Sequence, residues 1–419
     1  MKVLWFSNCV LSNDSMKETG TWLETMSRIL VERGVELYNI AQKRDVVNVE
    51  KSNCNSITQW VVPSFKLHNG VPCSEDIKSL TSIVNEVDPD IIHIWGMESY
   101  WGLLFSRGYL KKKTLLEIQG YLYFYSDVFY GGLNTIEKIK CIGLKEFLKP
   151  TSSIFIEKRN FKKWGNYENE MLKTFSYIST QSDWVRSHIS LFANSEAKIY
   201  NTDINLRPQF LQSKPWEYKG TNKVELLMVS SGSVPYKGLH IVIKALSVLI
   251  KSFPDITLKV VGNFEQHLPN FRKTGYTKFV EKLISKLNLD RNVVFLGRMD
   301  SSEIVNQMLC SDVMIVPSFV ETYCLTLAEA QAVGVPCVVS YAGSLPEIAT
   351  DKKSALFYSP EDFITCADCV SKLIKSKDLA LSLSEYGRQN VSVRNSPQRI
   401  GDIQMSIYHD IINDSSTII

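Results

Sequence analysis

The chain alternates between two hydrophobic periodicities. MKVLWF at the start, VELYNIA from Val35, ITQWVVPS from Ile57, DIIHIW from Asp90 and KTLLEIQG from Lys113 are short runs that read as strands. TWLETMSRILVERG, stopped by Gly34, and DIKSLTSIVNEVD place apolar residues three and four apart and read as amphipathic helices. A second series starts at Val224. VELLMVS, ITLKVVG, NVVFLG and DVMIVPS read as strands, and LHIVIKALSVLIKSF, FVEKLISKLNL and SEIVNQMLCS as the helices between them. Alternation of this kind predicts an α/β protein with two doubly wound parallel sheets, each covered on both faces. MLKTFSYISTQSDWVRSHISLF reads as helix, strand, helix, and residues 201–222, rich in Pro, Lys, Trp and polar side chains, as the interdomain linker. The expected domains are 1–205 and 206–397, with a final helix from 398 packing back on the first domain.

The most informative stretch runs from Val316 to Glu347. It reads as a strand end, a loop, a slim Ala-rich helix ended by Gly334 and Pro336, and the strand VPCVVS. Glu321 stands at the strand end and Glu329 in the helix. Between them the helix start presents backbone N–H groups without intrahelical acceptors, an arrangement that attracts phosphate. A ligand with hydroxyls at both ends and a charged middle fits such a cradle, and a nucleotide-sugar is one. The plain alternative is a helix cap at Glu321 and a solvated Glu329.

Composition narrows the class. The 419 residues suit two domains, and 44% hydrophobic with 22% charged content is globular. No apolar run approaches the roughly 20 residues of a spanning helix, and the start lacks the long apolar region of a signal peptide. Nine scattered cysteines point to a reducing, cytoplasmic setting, and Cys366 and Cys369 read as buried helix residues rather than a zinc or redox pair. Residues 110–165 carry eleven basic against five acidic side chains, interleaved with aromatics. That surface suits an anionic membrane face; nucleic acid and an ordinary solvated face are the competing readings, and no nucleic-acid partner is expected. Asp88-Pro89-Asp90 has the spacing of a metal motif but reads as a turn. No catalytic metal or other cofactor is expected. His93, inside IIHIW, reads as a core or strand-end residue.

Further signals accompany the two glutamates. After VELLMVS comes SSGSVPYKGLH, where Ser231, Gly232 and Ser233 allow close backbone approach and Lys237 is a phosphate partner. The spacing is not that of a P-loop. Gly297-Arg298-Met299 ends another strand, and AGSLPEI forms a third loop. Together these residues resemble the family-4 (group 1) glycosyltransferases of the GT-B fold. The E-x7-E element matches Glu321 and Glu329, the Lys-Gly element Lys237-Gly238, the Gly loop before the first helix Gly20-Thr21, the serine segment TQSDWVR, and the Pro-Glu element Pro346-Glu347.

The resemblance implies two Rossmann-like domains facing across a cleft. It also implies a nucleotide-sugar-dependent, metal-independent hexosyltransferase that retains anomeric configuration by a front-face route. By analogy Glu321 and Lys237 are catalytic, with Glu321 on the donor sugar. Glu329 would hold the ribose. Lys237 and the N–H groups of Tyr323, Cys324 and Leu325, with Thr322, Gly232 and Ser233 nearby, would hold the diphosphate. Arg298 and Met299 would border the base. Gly20, Thr21 and Gln119 would meet the acceptor. Two positions depart from the family pattern: Gly232 stands where an Arg is common, and Gln119 where a His is common. The expected partners are a UDP- or GDP-type sugar, a glycan or lipid-linked glycan acceptor of polysaccharide or lipopolysaccharide synthesis, and a membrane surface touched peripherally through 110–165. An epimerase or phosphorylase on the same fold, and a non-catalytic nucleotide-sugar binder, are the alternatives.

Overall fold

The computed structural model describes residues 1–419 apart from 13–21, 150–152, 221–222, 231 and 416–419. The chain forms two compact units. The first holds residues 1–123, 163–207 and 395–419, and the second 124–162 and 208–394.

The first unit is built on an eight-stranded sheet of β1 (Lys2–Ser7), β2 (Glu36–Lys43), β3 (Glu50–Cys54), β4 (Ile57–Pro63), β5 (Ile91–Trp95), β6 (Thr114–Glu117), β7 (Tyr177–Thr180) and β8 (Lys198–Asn201). The order is β3-β4-β2-β1-β5-β6-β7-β8. Every described pairing is parallel except β3 with β4. The central strands are buried on both faces, which is why they read as nearly unbroken apolar runs. β3, EKSNC, is a mostly exposed polar edge, so it carried no hydrophobic signal.

Helix Pro397–Asn413 belongs to this unit, and its Tyr408 is buried in the core. The Tyr408 hydroxyl accepts from Trp5 Nε1 at 3.2 Å and lies 2.7 Å from His93 Nδ1. His93 is fully buried and stacked on Trp95, a core residue whose pKa burial lowers. Asp88 caps the helix Ser74–Val87 in the left-handed region (φ 45°), so Asp88-Pro89-Asp90 is a turn.

The second unit has a six-stranded sheet of β9 (Glu225–Ser230), β10 (Thr257–Gly262), β11 (Val293–Gly297), β12 (Val313–Val316), β13 (Cys337–Ser340) and β14 (Leu356–Tyr358). Its order is β11-β10-β9-β12-β13-β14 and its pairings are parallel. Chain progression reverses between β9 and β12. In such sheets the crevice beyond the carboxyl ends of the two strands at the reversal is where ligands bind. Cys366 and Cys369 are buried in helix Phe363–Lys375, as their apolar setting indicates.

Two segments differ from the sequence-based expectation. Within 201–222, Trp216 is core: it is buried and its Nε1 donates to Ser311 O at 2.7 Å. Residues 124–162, expected in the N-terminal domain, lie in the second unit. Glu137 pairs with Lys244 at 2.7 Å, and His240 Nε2 lies 2.8 Å from Gly131 O. These partners are about a hundred residues away in sequence, so local periodicity is blind to them.

The carbonyl of Gly131 requires a proton on His240 Nε2, which leaves Nδ1 to accept from the Tyr276 hydroxyl at 2.9 Å. Burial first, then Lys244, lowers the pKa of His240 to about 4, against the opposing pull of Glu137. The unfolded chain therefore takes up this proton near the ordinary 6.5, the folded chain only near 4. Stability from this residue is complete above pH 6.5 and is expected to fall, by on the order of 3 kcal/mol, as pH drops towards 4. Urea midpoints across that range measure it, and His240→Gln should give a shallower decline than the wild type. Equal slopes would contradict the assignment.

Candidate active site

The crevice at the β9–β12 reversal is assembled from two loops. After β9 the chain makes a 3-10 turn, Pro235–Lys237, and enters helix Leu239–Leu249 through Gly238 at φ 73°. A Cβ at Gly238 would stand 2.1 Å from Pro317 O, so only glycine lets this turn lie against the loop that follows β12. That second loop, 317–324, leads into helix Leu325–Val333. Ala328, Ala330 and Ala332 make the helix narrow, and Gly334, left-handed at φ 94°, ends it.

The loops bring Lys237 and Glu321 together, 84 residues apart in sequence. Nζ and Oε1 are 2.6 Å apart, and Ser318 Oγ donates to the same oxygen at 2.6 Å. Both charged side chains are mostly buried. Burial pulls the Lys237 pKa down, but Glu321, with Tyr236 and Tyr125, pushes it up further, and the net direction is up. The ammonium is therefore a fixed positive charge at neutral pH. Glu321 is held from behind as well. Its carbonyl accepts from Ser344 N at 2.9 Å, and Gly343 packs so closely that a Cβ there would be 2.3 Å from that oxygen.

Beside the pair lies a cavity of about 100 Å3 lined by Met228, Val229 and Ser230 of β9, by Lys237, by Val316, Pro317, Ser318 and Glu321, and by Cys324, Leu325 and Thr326 at the helix start. Several waters fit in that volume. One wall carries the cation, and the other is the helix N-terminus with its partial positive charge.

Cys324 caps that helix at φ 101°, in the left-handed half of backbone space where a side chain is strained. Burial, then Glu321, pushes its thiol pKa up, so it is a neutral thiol and not a nucleophile. Replacing Cys324 with Gly relieves roughly 1–3 kcal/mol of strain, offset by the roughly 0.4–1 kcal/mol of extra freedom a glycine gives the unfolded chain and by the loss of a buried side chain. Cys324→Gly is thus expected to leave the urea-derived stability within about 1 kcal/mol of the wild type; a loss of more than about 2 kcal/mol would contradict the strain.

Of the residues singled out from sequence, the cavity gathers Lys237, Glu321, Cys324 and Leu325. Thr322 and Tyr323 are buried in the same loop but do not line the cavity. Glu329 lies about one turn into the helix, which begins at Leu325, and is buried rather than lining the cavity. Ser233 bonds the Thr277 hydroxyl at 2.9 Å instead of facing the cavity. Gly232 accepts from Ser230 Oγ through its carbonyl, and a Cβ there would meet nothing within 4 Å. Arg298 and Met299 follow β11, two strands away from β9. Gly20 and Thr21 lie outside the described residues.

Gln119 is half-buried just beyond β6 in the first unit. Next to it, the Glu98 carboxylate is wedged between Gly96 and Gly120, where a Cβ on either would fall 2.3 or 2.4 Å from an oxygen. Burial pushes the Glu98 pKa up, against hydrogen bonds from the backbone of Gly120 and Met97. Sequence reasoning passed over Glu98 and Ser318. The spacing of Ser318, three residues before Glu321, was the available signal.

Residues 214–390 match the family model of the glycosyl transferases group 1. D-inositol 3-phosphate glycosyltransferase of Corynebacterium urealyticum is 30% identical over 158 residues, 37% of this chain and 36% of that protein. The matches to the first curated relatives span between about a third and a half of their lengths. Over whole chains, sucrose-phosphate synthase of Thermosynechococcus elongatus superposes with a TM-score of 0.73 at 13% identity, covering 98% of both chains. HepE of Anabaena in complex with UDP-glucose gives 0.66 at 15%, covering 98% of this chain and 100% of that one. The two-sheet architecture is the GT-B fold. The likeness to the glycosyl transferases of group 1 is carried by residues 214–390, the segment that holds Lys237, Glu321 and the crevice between β9 and β12.

Proposed function

We propose that the protein transfers a hexosyl group from a nucleotide-sugar to a glycan or lipid-linked glycan, with retention of anomeric configuration and without a metal. The observation that carries this reading is the Lys237–Glu321 pair, 2.6 Å apart, at the start of helix Leu325–Val333 on the reversal of the sheet. As the glycosidic C–O bond of a donor stretches, negative charge grows on the departing diphosphate. A fixed ammonium and a helix N-terminus stabilise that charge more than they stabilise the ground state. Lys237 takes the electrostatic role that a divalent cation takes elsewhere. Glu321 orients a donor-sugar hydroxyl, and a donor phosphate oxygen accepts the proton of the attacking acceptor hydroxyl on the same face. HepE, with the same fold, was solved with UDP-glucose, which makes UDP-sugars the first donors to try.

The acceptor is assigned to the first unit, at Gln119. Gln119 donates and accepts hydrogen bonds but does not titrate. Peripheral membrane association is assigned to the 124–162 segment. Ile136, Ile139 and Phe147 are 65%, 59% and 76% exposed, among Lys138, Lys140, Lys145 and Lys149. A basic surface with protruding apolar side chains suits anionic lipid at the inner face of a membrane. Among the described residues no helix is long and apolar enough to cross one.

Transfer assays with UDP-, GDP- and ADP-sugars, with and without EDTA, test the reaction, and NMR of the product anomer tests retention. One donor class should turn over in EDTA with retained configuration. Release of an altered sugar without any acceptor would favour an epimerase. Stoichiometric nucleotide binding with no turnover across acceptors would favour a non-catalytic binder, a reading encouraged by Gly232 in place of the usual arginine.

A further inference from the structure

The Lys237 and Glu321 loops are joined by a third piece of chain that the family motifs do not include. It starts at the short helix Leu122–Asp127, a few residues beyond Gln119 in sequence. Tyr125 Oη lies 3.2 Å from Thr322 Oγ1, next to Glu321. The ring of the same residue packs on Tyr236, next to Lys237, with centroids 5.6 Å apart. One phenol thus touches the neighbours of both members of the ion pair. Its surroundings hold it there. Phe129 also packs on Tyr236, at 5.8 Å, and a Cβ at Gly131 would stand 2.2 Å from Pro235 O, in the turn that carries Lys237. Gly131, at φ 54°, is tied to His240 at the start of the following helix. Burial raises the pKa of the Tyr125 hydroxyl, so it is neutral and acts only through its hydrogen bond and its ring.

Resting on the donor-site reading above, we propose that Tyr125 is a positioning residue for the donor: its hydroxyl on Thr322 and its ring on Tyr236 set the separation of Glu321 and Lys237 across the diphosphate cavity. Without the hydroxyl, the loop of Glu321 keeps the Phe319 N–H bond to Tyr236 O at 2.8 Å and the ion pair as its ties to the Lys237 turn, but the side chain next to Glu321 loses its hydrogen bond to the phenol packed beside Lys237, and the ion pair is what an arriving diphosphate must share. The phenol therefore matters most when the donor is bound.

The test is a double-mutant cycle on the full chain with the best donor from the assays above. Tyr125→Phe keeps the ring and removes the hydroxyl. It should lower kcat/KM for the donor about five- to tenfold, the worth of one hydrogen bond, and leave the KM for the acceptor unchanged. Thr322→Val should do the same, and the double variant should lose no more than the larger single loss. Thermal midpoints should stay within about 2 °C of the wild type. Unchanged donor kinetics in Tyr125→Phe, or losses that multiply in the double variant, would overturn the proposal. So would a fall in midpoint with no change in donor kcat/KM. A wild type that binds no nucleoside diphosphate would instead overturn the donor-site reading, and the two failures are told apart by titrating UDP and GDP into the wild type first.

Discussion

Lys237→Ala is expected to lower kcat by about 10²–10³, the scale of removing one preorganised group that stabilises developing charge. The substitution removes the positive charge on the crevice wall opposite the helix start, and among the described residues no other Lys or Arg lines the cavity. It also leaves Glu321, now bonded by Ser318 alone, as a mostly buried carboxylate. Removing one member of a buried pair typically costs about 3–5 kcal/mol, because the other charge stays in the interior. The two effects separate in a paired experiment. Lys237→Ala with Glu321→Ala should recover part of the lost stability but none of the turnover. Lys237→Arg should recover little activity, since a planar guanidinium does not fit where a compact ammonium sits between Glu321 and a phosphate. Turnover of Lys237→Ala within tenfold of the wild type would remove Lys237 from the mechanism.

Gly238→Ala should be nearly as damaging, although it touches no ligand. At φ 73° an alanine costs roughly 1–2 kcal/mol from conformation alone. Its Cβ would also lie 2.1 Å from Pro317 O and 3.0 Å from Pro317 Cβ, so one loop must move away from the other. The total is expected to be about 2–4 kcal/mol in urea-derived stability, with nucleoside-diphosphate affinity down tenfold or more because Lys237 moves with the turn. Gly34→Ala is the control. Gly34 has φ 81°, but a Cβ there meets nothing within 4 Å, so it should lose only the conformational part and no affinity. Equal effects of the two substitutions on nucleotide binding would show that the contact between the loops does not position Lys237.

Much of this architecture was legible in the chain because parallel sheets bury both faces of their strands. MKVLWF, IIHIW and VMIV are nearly continuous apolar runs for that reason, and the Ala-rich helix after Glu321 ends at the Gly334–Pro336 signal. The polar edge strand β3 and the short β8 and β14 left no comparable pattern. The site was legible in part. The spacing of Glu321, Glu329 and Lys237 matched a family, but only the fold shows that Lys237 and Glu321 meet while Glu329 is buried in the helix. The aromatic, basic stretch from Tyr121 announced a surface. Its other role, supplying Tyr125 and Gly131 to the loop of Lys237, depends on contacts more than a hundred residues distant, which no local pattern encodes.

Calorimetric titration of UDP and GDP into the wild type and into Lys237→Ala is the most direct measurement. One nucleoside diphosphate should bind the wild type at one site per chain, and Lys237→Ala should bind it at least about tenfold more weakly. Failure of both nucleotides to bind the wild type, or equal affinity in the two proteins, would contradict a diphosphate held beside Lys237 and Glu321 at the start of helix Leu325–Val333.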